Sequence, residues 1–232
     1  MKILLVSDIH ANWPALEAIS EPFDACLFLG DLVDYGASPL PCVEWVRTHA
    51  SGAVRGNHDH AVAQRIAARG GTGFRDLAAA TRPLNWQVLG APQLRYLARL
   101  PVTLSLTLDG LRILLVHATP RDPMDEYLAE DPLAWQTRLQ GIQADIVCVG
   151  HTHVQFHLQV EGKQVVNPGS VGQPRDGDPR CAYAVIEHGR VELRRVPYNI
   201  DATLQEMRAA QIAPRAIEMA ESVLRTGGRF QR

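Results

Sequence analysis

The chain has 232 residues, enough for one domain with a substantial core. Its 46% hydrophobic and 21% charged residues form an ordinary globular balance, which excludes a disordered chain. The 23 basic and 25 acidic residues leave a net charge of -2, which excludes a role built on long-range attraction for nucleic acid.

The N-terminal run Ile3-Leu4-Leu5-Val6 is continuously apolar, as in a strand buried on both faces. It is too short for a signal-peptide core and Asp8 ends it. Trp13 to Ile19 reads as a helix, Cys26 to Leu29 as a strand, Pro41 to His49 as a helix and Ala53-Val54 as a short third strand. This β-α-β-α-β order predicts a parallel arrangement. From 60 to 100 the pattern is helical: Ala61 to Ala68, Asp76 to Leu89 with an interruption near Pro83, and Pro92 to Leu100. Strands follow at Val102 to Leu108 and Leu111 to Val116 around the Asp109-Gly110 turn, then at Ile146 to Val149, Val154 to Val160, Lys163 to Val166, Ala182 to Ile186 and Val191 to Val196. Helices return at Asp201 to Ala210 and Pro214 to Leu224, where Ile217, Ala220 and Leu224 share one face. Thr226 to Arg232 is expected to fray. The reading is one domain over 1–232, with a helical insertion at 60–100 and C-terminal helices at 201–225. No stretch approaches the ~18 apolar residues of a membrane span. The four cysteines, Cys26, Cys42, Cys148 and Cys181, form no metal-finger or disulfide pattern. The expected location is cytoplasmic.

Five strand-like runs each end in a polar cluster. They are Asp8 and His10; Gly30, Asp31 and Asp34; Gly56, Asn57, His58 and Asp59; His117; and Gly150, His151, Thr152 and His153. Loops beyond the carboxyl ends of parallel strands share one edge, so clusters scattered in sequence can converge there. Imidazole, carboxylate and one amide oxygen, with no thiolate, suit Mn, Fe, Co, Ni or Zn, with manganese favoured. Seven candidate ligands exceed the needs of one catalytic ion but suffice for two if a carboxylate bridges. Two ions ~3.5–4 Å apart suit in-line displacement at phosphorus.

Taken together, D-x-H, G-D-x-x-D, G-N-H-D, a strand-end histidine and G-H-T-H resemble the calcineurin-like metallophosphoesterases, above all their compact bacterial branch. Thr119 to Pro123 and Asn167 to Arg175 extend the likeness. The resemblance implies an α/β (α+β) fold, a four-layer α-β-β-α sandwich of two mixed sheets with outer helices. It implies Asp8, His10 and His153 on a first metal, Asn57, His117 and His151 on a second, and Asp31 bridging both. His58 would bind neither and face the leaving group, with Asp59 as its orienting partner. Two departures stand out: Ala11 and Ala118 occupy positions where relatives carry glycine, and if the position of Ala118 needs a positive φ, alanine would add strain there.

Substrate contacts are less determined. Arg121 and Arg175 could hold phosphate bidentately or form ion pairs within their loops. Asn12 could touch substrate or cap a helix. Trp86 and Tyr96 fit either core positions or a pocket roof, and His60 lies close to His58. The resulting expectation is a dinuclear phosphoesterase that cleaves phosphomono- or phosphodiesters with a hydroxide held between two divalent metals. Its substrate would be small, such as a nucleotide or phosphate ester, with no long nucleic acid and no membrane as partner. The alternative is an inactive scaffold on the same fold, which predicts eroded ligands.

Overall fold

The computed structural model describes residues 1–228. In chain order the elements are β1 (Lys2–Val6), α1 (Trp13–Glu17), β2 (Ala25–Phe28), α2 (Pro39–His49), β3 (Ala50–Ala53), α3 (Asn57–Ala63), α4 (Phe74–Val88), α5 (Ala91–Arg99), β4 (Thr103–Leu108), β5 (Leu111–Val116), α6 (Pro132–Arg138), β6 (Ile146–Cys148), β7 (Gln155–Val160), β8 (Lys163–Pro168), β9 (Cys181–Glu187), β10 (Arg190–Val196), α7 (Ile200–Ala209) and α8 (Pro214–Thr226).

Ten strands form two mixed five-stranded sheets, ordered β10-β9-β1-β2-β3 and β4-β5-β6-β8-β7. In the first, β1, β2 and β3 run parallel while β9 and β10 join antiparallel. In the second, β5, β6 and β8 run parallel, flanked by antiparallel β4 and β7.

The alternation of strand side chains explains why the sheets stack. Ile3 and Leu5 of β1 point inward to a core shared with Leu27, Ile113, Leu115, Ile146 and Val166. Leu4 and Val6 point outward and meet Leu16 of α1 and Cys42, Val43 and Val46 of α2. On the far side of the second sheet, Val116, Val147 and Val165 meet Trp135 and Leu139 at α6. The result is helix, sheet, sheet, helix. A strand buried on both faces has no room for polar alternation, hence the unbroken apolar run. A further cluster joins α4 to α7 and α8 through Leu77, Leu204, Met207, Ile217, Ala220 and Leu224. The shared apolar face of α8 is thus covered by the helical segment.

Several boundaries differ from the sequence reading. β3 ends at Ala53 instead of reaching Val54. α3 starts at Asn57 and stops at Ala63, where Arg65 turns to φ 55. α4 runs straight through Pro83. α6 was not anticipated, although Asp131 caps it and Pro132 opens it. Within the tail expected to fray, Gly227 accepts a hydrogen bond from Gly177 and Gly228 donates to Val223, while 229–232 lie outside the described residues.

Candidate metal centre

The carboxyl ends of β1, β2, β3, β5 and β6 meet along one edge of the two sheets. Main-chain hydrogen bonds tie the loops together: Asp8 N donates to Gly30 O, His10 N to Asp31 O and Ala11 N to Leu32 O. Asp8, His10, Asp31, His151 and His153 all hold positive φ, between 50 and 64°. Five of seven expected ligands in that region is far above its background frequency, and such backbone persists only where surroundings over-determine it. Ala11 is also left-handed at φ 50, whereas Ala118, the expected place of strain, does not have a positive φ. Two motif glycines serve close approach. A Cβ on Gly56 would lie 2.1 Å from Asp31 Oδ1, and one on Gly150 would lie 2.0 Å from Ser7 Oγ.

Two buried triads result, Asp8-His10-His153 and Asp31-His117-His151, with the ligand atoms of each within 4.8 Å of one another. Each carboxylate commits one oxygen to the protein. Asp8 Oδ2 accepts from Ser7 Oγ (2.6 Å) and His151 N (3.1 Å). Asp31 Oδ1 accepts from His58 N (2.9 Å). The other oxygens face imidazoles: Asp8 Oδ1 lies 3.2 Å from His153 Nε2, and Asp31 Oδ2 lies 3.8 Å from His10 Nε2 and 3.3 Å from His117 Nε2. Asp31 therefore touches both triads.

These residues suit a cation. His10, His117 and His153 each direct Nδ1 at a main-chain oxygen, of Val33 (2.9 Å), Leu29 (2.7 Å) and Gln173 (2.6 Å). A carbonyl can only accept, so Nδ1 carries the proton and Nε2 of the neutral ring presents a lone pair. Those lone pairs face one another and the carboxylates: His10 Nε2 and His153 Nε2 are 3.2 Å apart. Asp8 Oδ1, Asn57 Oδ1 and His151 Nε2 are buried with no hydrogen-bond partner among the described residues. Such crowding of acceptors is costly unless a positive charge sits among them. Burial alone would lower the His117 pKa, but Asp31 reverses this and pushes it up to about 10. Burial and then His117 pull His151 down to about 4. A divalent ion would displace the His117 proton.

His58 stands beside the triads. Its Nδ1 donates to Asp34 Oδ2 (2.7 Å), and its Nε2 lies 3.2 Å from the Tyr35 hydroxyl. Asp34 also accepts from Arg82 Nε (2.9 Å) and, on its other oxygen, from Asn85 Nδ2 (2.8 Å). Burial pulls the His58 pKa down, but Asp31 and Asp34 outweigh it, leaving the ring raised above its ordinary value.

Three expected site residues are corrected. Asp59 does not orient His58; it is fully buried and accepts from the main-chain N–H groups of Asp31 (2.8 Å), Leu32 (2.7 Å) and Gly56 (3.1 Å), so it pins the Asp31 loop. Successive side chains on a helix point about 100° apart, so Asp59 cannot share the face of His58. Asn12 caps α1 and is buried against Gly172, Tyr198 and Thr203, away from the cavity beside the triads. Arg121 is exposed and paired with Glu126. Arg175 does line the cavity, its guanidinium 3.7 Å from the Phe74 ring centroid. Trp86 and Tyr96 pack in the core, and Trp86 Nε1 donates to Val62 O. Sequence reasoning named Asp34 in a strand-end cluster without giving it a role, and missed Tyr35, Arg82, Asn85 and Tyr127, whose ring lies 4.0 Å from that of His151. The one available signal was polarity on the buried face of α4, where Thr81, Arg82 and Asn85 interrupt an apolar stripe.

The calcineurin-like phosphoesterase superfamily domain matches residues 1–190. An uncharacterised protein of Methanocaldococcus jannaschii is 30% identical over 228 residues, covering 88% of this chain and 91% of its own. The metallophosphoesterase of Sphaerobacter thermophilus superposes with a TM-score of 0.81 at 34% identity, over 98% of this chain and 99% of that one. A hypothetical protein of Pyrococcus horikoshii OT3 shares the fold with a TM-score of 0.83 at 19% identity, over 99% of each chain. The family implies divalent metal ions, in keeping with the two acceptor-lined triads. With a match over most of its length and a relative of 34% identity across nearly all of it, the chain belongs to the calcineurin-like phosphoesterase superfamily.

Proposed function

We propose that the chain hydrolyses small phosphate esters, mono- or diesters, with two divalent transition-metal ions. Asp8, His10 and His153 would hold the first and Asn57, His117 and His151 the second, with Asp31 shared. A donor set of oxygen and imidazole without thiolate suits any of Mn, Fe, Co, Ni and Zn, and manganese is the ion we favour among them. Bound there, such a pair supplies a water of lowered pKa and neutralises charge on the phosphoryl oxygens. The observation that carries this reading is the position of Asp31 Oδ2, within 3.8 Å of His10 Nε2 in one triad and 3.3 Å of His117 Nε2 in the other.

The chain's own groups do the rest. His58, protonated through Asp31 and Asp34, gives its Nε2 proton to the departing ester oxygen. Cations beside Asp31 would remove part of that support, while Asp34 keeps its hold. Tyr35 lies between His10 and His58, with ring centroids 4.5 and 4.8 Å away, and fixes both rings. The phosphorus–oxygen bond to the leaving group breaks as one to the water oxygen forms. A scaffold role would tolerate eroded ligands, whereas every expected ligand position is filled here. The four cysteines are free and buried, which supports a reducing, cytoplasmic setting.

The experiment is an activity screen of metal-reconstituted protein over phosphomonoesters, cyclic nucleotides, dinucleoside polyphosphates and phosphopeptides, repeated after chelation. Hydrolysis that chelation abolishes and added metal restores is the expected result. Inactivity on all four classes at full metal occupancy would count against the proposal.

A further inference from the structure

The cavity beside the triads, about 800 Å³, is larger than one phosphate group needs. Lining the cavity are Asn57, His58 and His151 of the centre, and its wall also carries Arg69, Arg75 and Arg175. We propose that this wall binds a second phosphate on the leaving group, so that the substrates are esters bearing two phosphates. This rests on the phosphoesterase reading and names its substrate class.

Charge carries the argument. Residues 64–82 hold four arginines and one aspartate, in a chain whose net charge is -2. Arg82 is committed, because its guanidinium is held by Asp34 deep in the wall. Arg69 and Arg75 are exposed and make no hydrogen bond or ion pair among the described residues, and Asp125 is the one acidic residue beside them in the lining. Arg175 is built in more firmly. Its guanidinium stacks on Phe74, its Nη2 donates to Gln173 Oε1 (2.7 Å), and its Nε is buried with no partner among the described residues. Arg175 makes no ion pair among the described residues, so a phosphate in the cavity would supply its counter-charge. The scissile phosphate is already served by the triads and His58, so a neutral leaving group would leave this wall without a counter-charge. Guanidinium groups match phosphate through paired N–H donors. After hydrolysis the leaving group departs as an alcohol, protonated by His58 and still carrying its second phosphate.

The test compares adenosine 5′-monophosphate with adenosine 3′,5′-bisphosphate, which differ by one phosphate, on metal-loaded protein. The bisphosphate should show the higher kcat/KM. The double variant Arg69→Ala with Arg75→Ala should reduce the bisphosphate-to-monophosphate ratio of kcat/KM by about tenfold or more, chiefly through KM, as expected for loss of charge-assisted hydrogen bonds. Both arginines are exposed, so the variant should fold. Calorimetric binding of inorganic pyrophosphate to the two proteins gives a second readout, and the variant should bind about tenfold more weakly. A ratio that the variant leaves unchanged, or equal pyrophosphate binding, would overturn the proposal. If neither nucleotide is cleaved, the four-class activity screen decides the phosphoesterase reading, and the pyrophosphate comparison still decides whether these arginines bind phosphate.

Discussion

His58 Nδ1 lies 2.7 Å from Asp34 Oδ2, and that carboxylate is itself anchored by Arg82 and Asn85 of α4. The helical segment between β3 and β4 thus reaches into the candidate centre through one charged chain of contacts. It aims the imidazole at the cavity and keeps its Nδ1 protonated, leaving Nε2 for the substrate.

Replacing His58 with alanine should lower turnover by about 10²–10⁴-fold, the usual contribution of a general acid. The loss should be smaller for a nitrophenyl ester, whose leaving group needs little protonation. Turnover on activated and unactivated esters, at equal metal occupancy, checks this. Loss of metal from the variant would make His58 a ligand and end the assignment.

Asp34→Asn should move the alkaline limb of the turnover profile to lower pH. The sign follows from the site: Asp34 helps to raise the His58 pKa, an acid catalyst works only below its pKa, and removing the carboxylate lowers that limit. The change also strips the counter-charge from Arg82, whose side chain is 9% exposed, so a stability loss of about 3–5 kcal/mol is expected. A pH profile and a denaturant melt measure the two effects separately. An alkaline limb that stays in place would show that Asp34 does not tune His58.

Asp31→Asn should be the most damaging ligand change, because one side chain faces both triads. Metal analysis of the purified variant should find fewer than two ions per chain. Two tightly held ions with normal turnover would remove Asp31 from the shared position.

Chelation should abolish activity and leave the fold standing. The inter-sheet core is formed by apolar side chains such as Leu5, Leu27, Leu115 and Ile146, which need no ion to pack. Circular dichroism of the metal-free protein should keep its helix and strand signals; an unfolded metal-free state would show that the ions are structural.

What could be read from the sequence follows from how local each feature is. The strand-end clusters are short and contiguous, so Asp8 with His10, or His151 with His153, announce themselves beside an apolar run. The layers follow from strands with no polar alternation, such as Ile3 to Val6. The Asp34–Arg82–Asn85 contacts join residues about fifty positions apart, across two elements whose packing no periodicity specifies. Asp59 misled for the opposite reason: adjacency in sequence suggested contact with His58, but α3 begins at Asn57 and turns the two side chains apart. Asn12 and Arg121 have side chains suited to phosphate, yet the first is occupied as a cap and the second by Glu126.

The central claim is that the two triads hold a working pair of ions. Titrating divalent manganese into metal-free protein while following nitrophenyl phosphate and bis-nitrophenyl phosphate hydrolysis tests it most directly. Activity should rise from zero and saturate at two equivalents of metal per chain. Saturation at one equivalent would contradict the paired centre, and no hydrolysis of either ester at any loading would contradict the phosphoesterase itself.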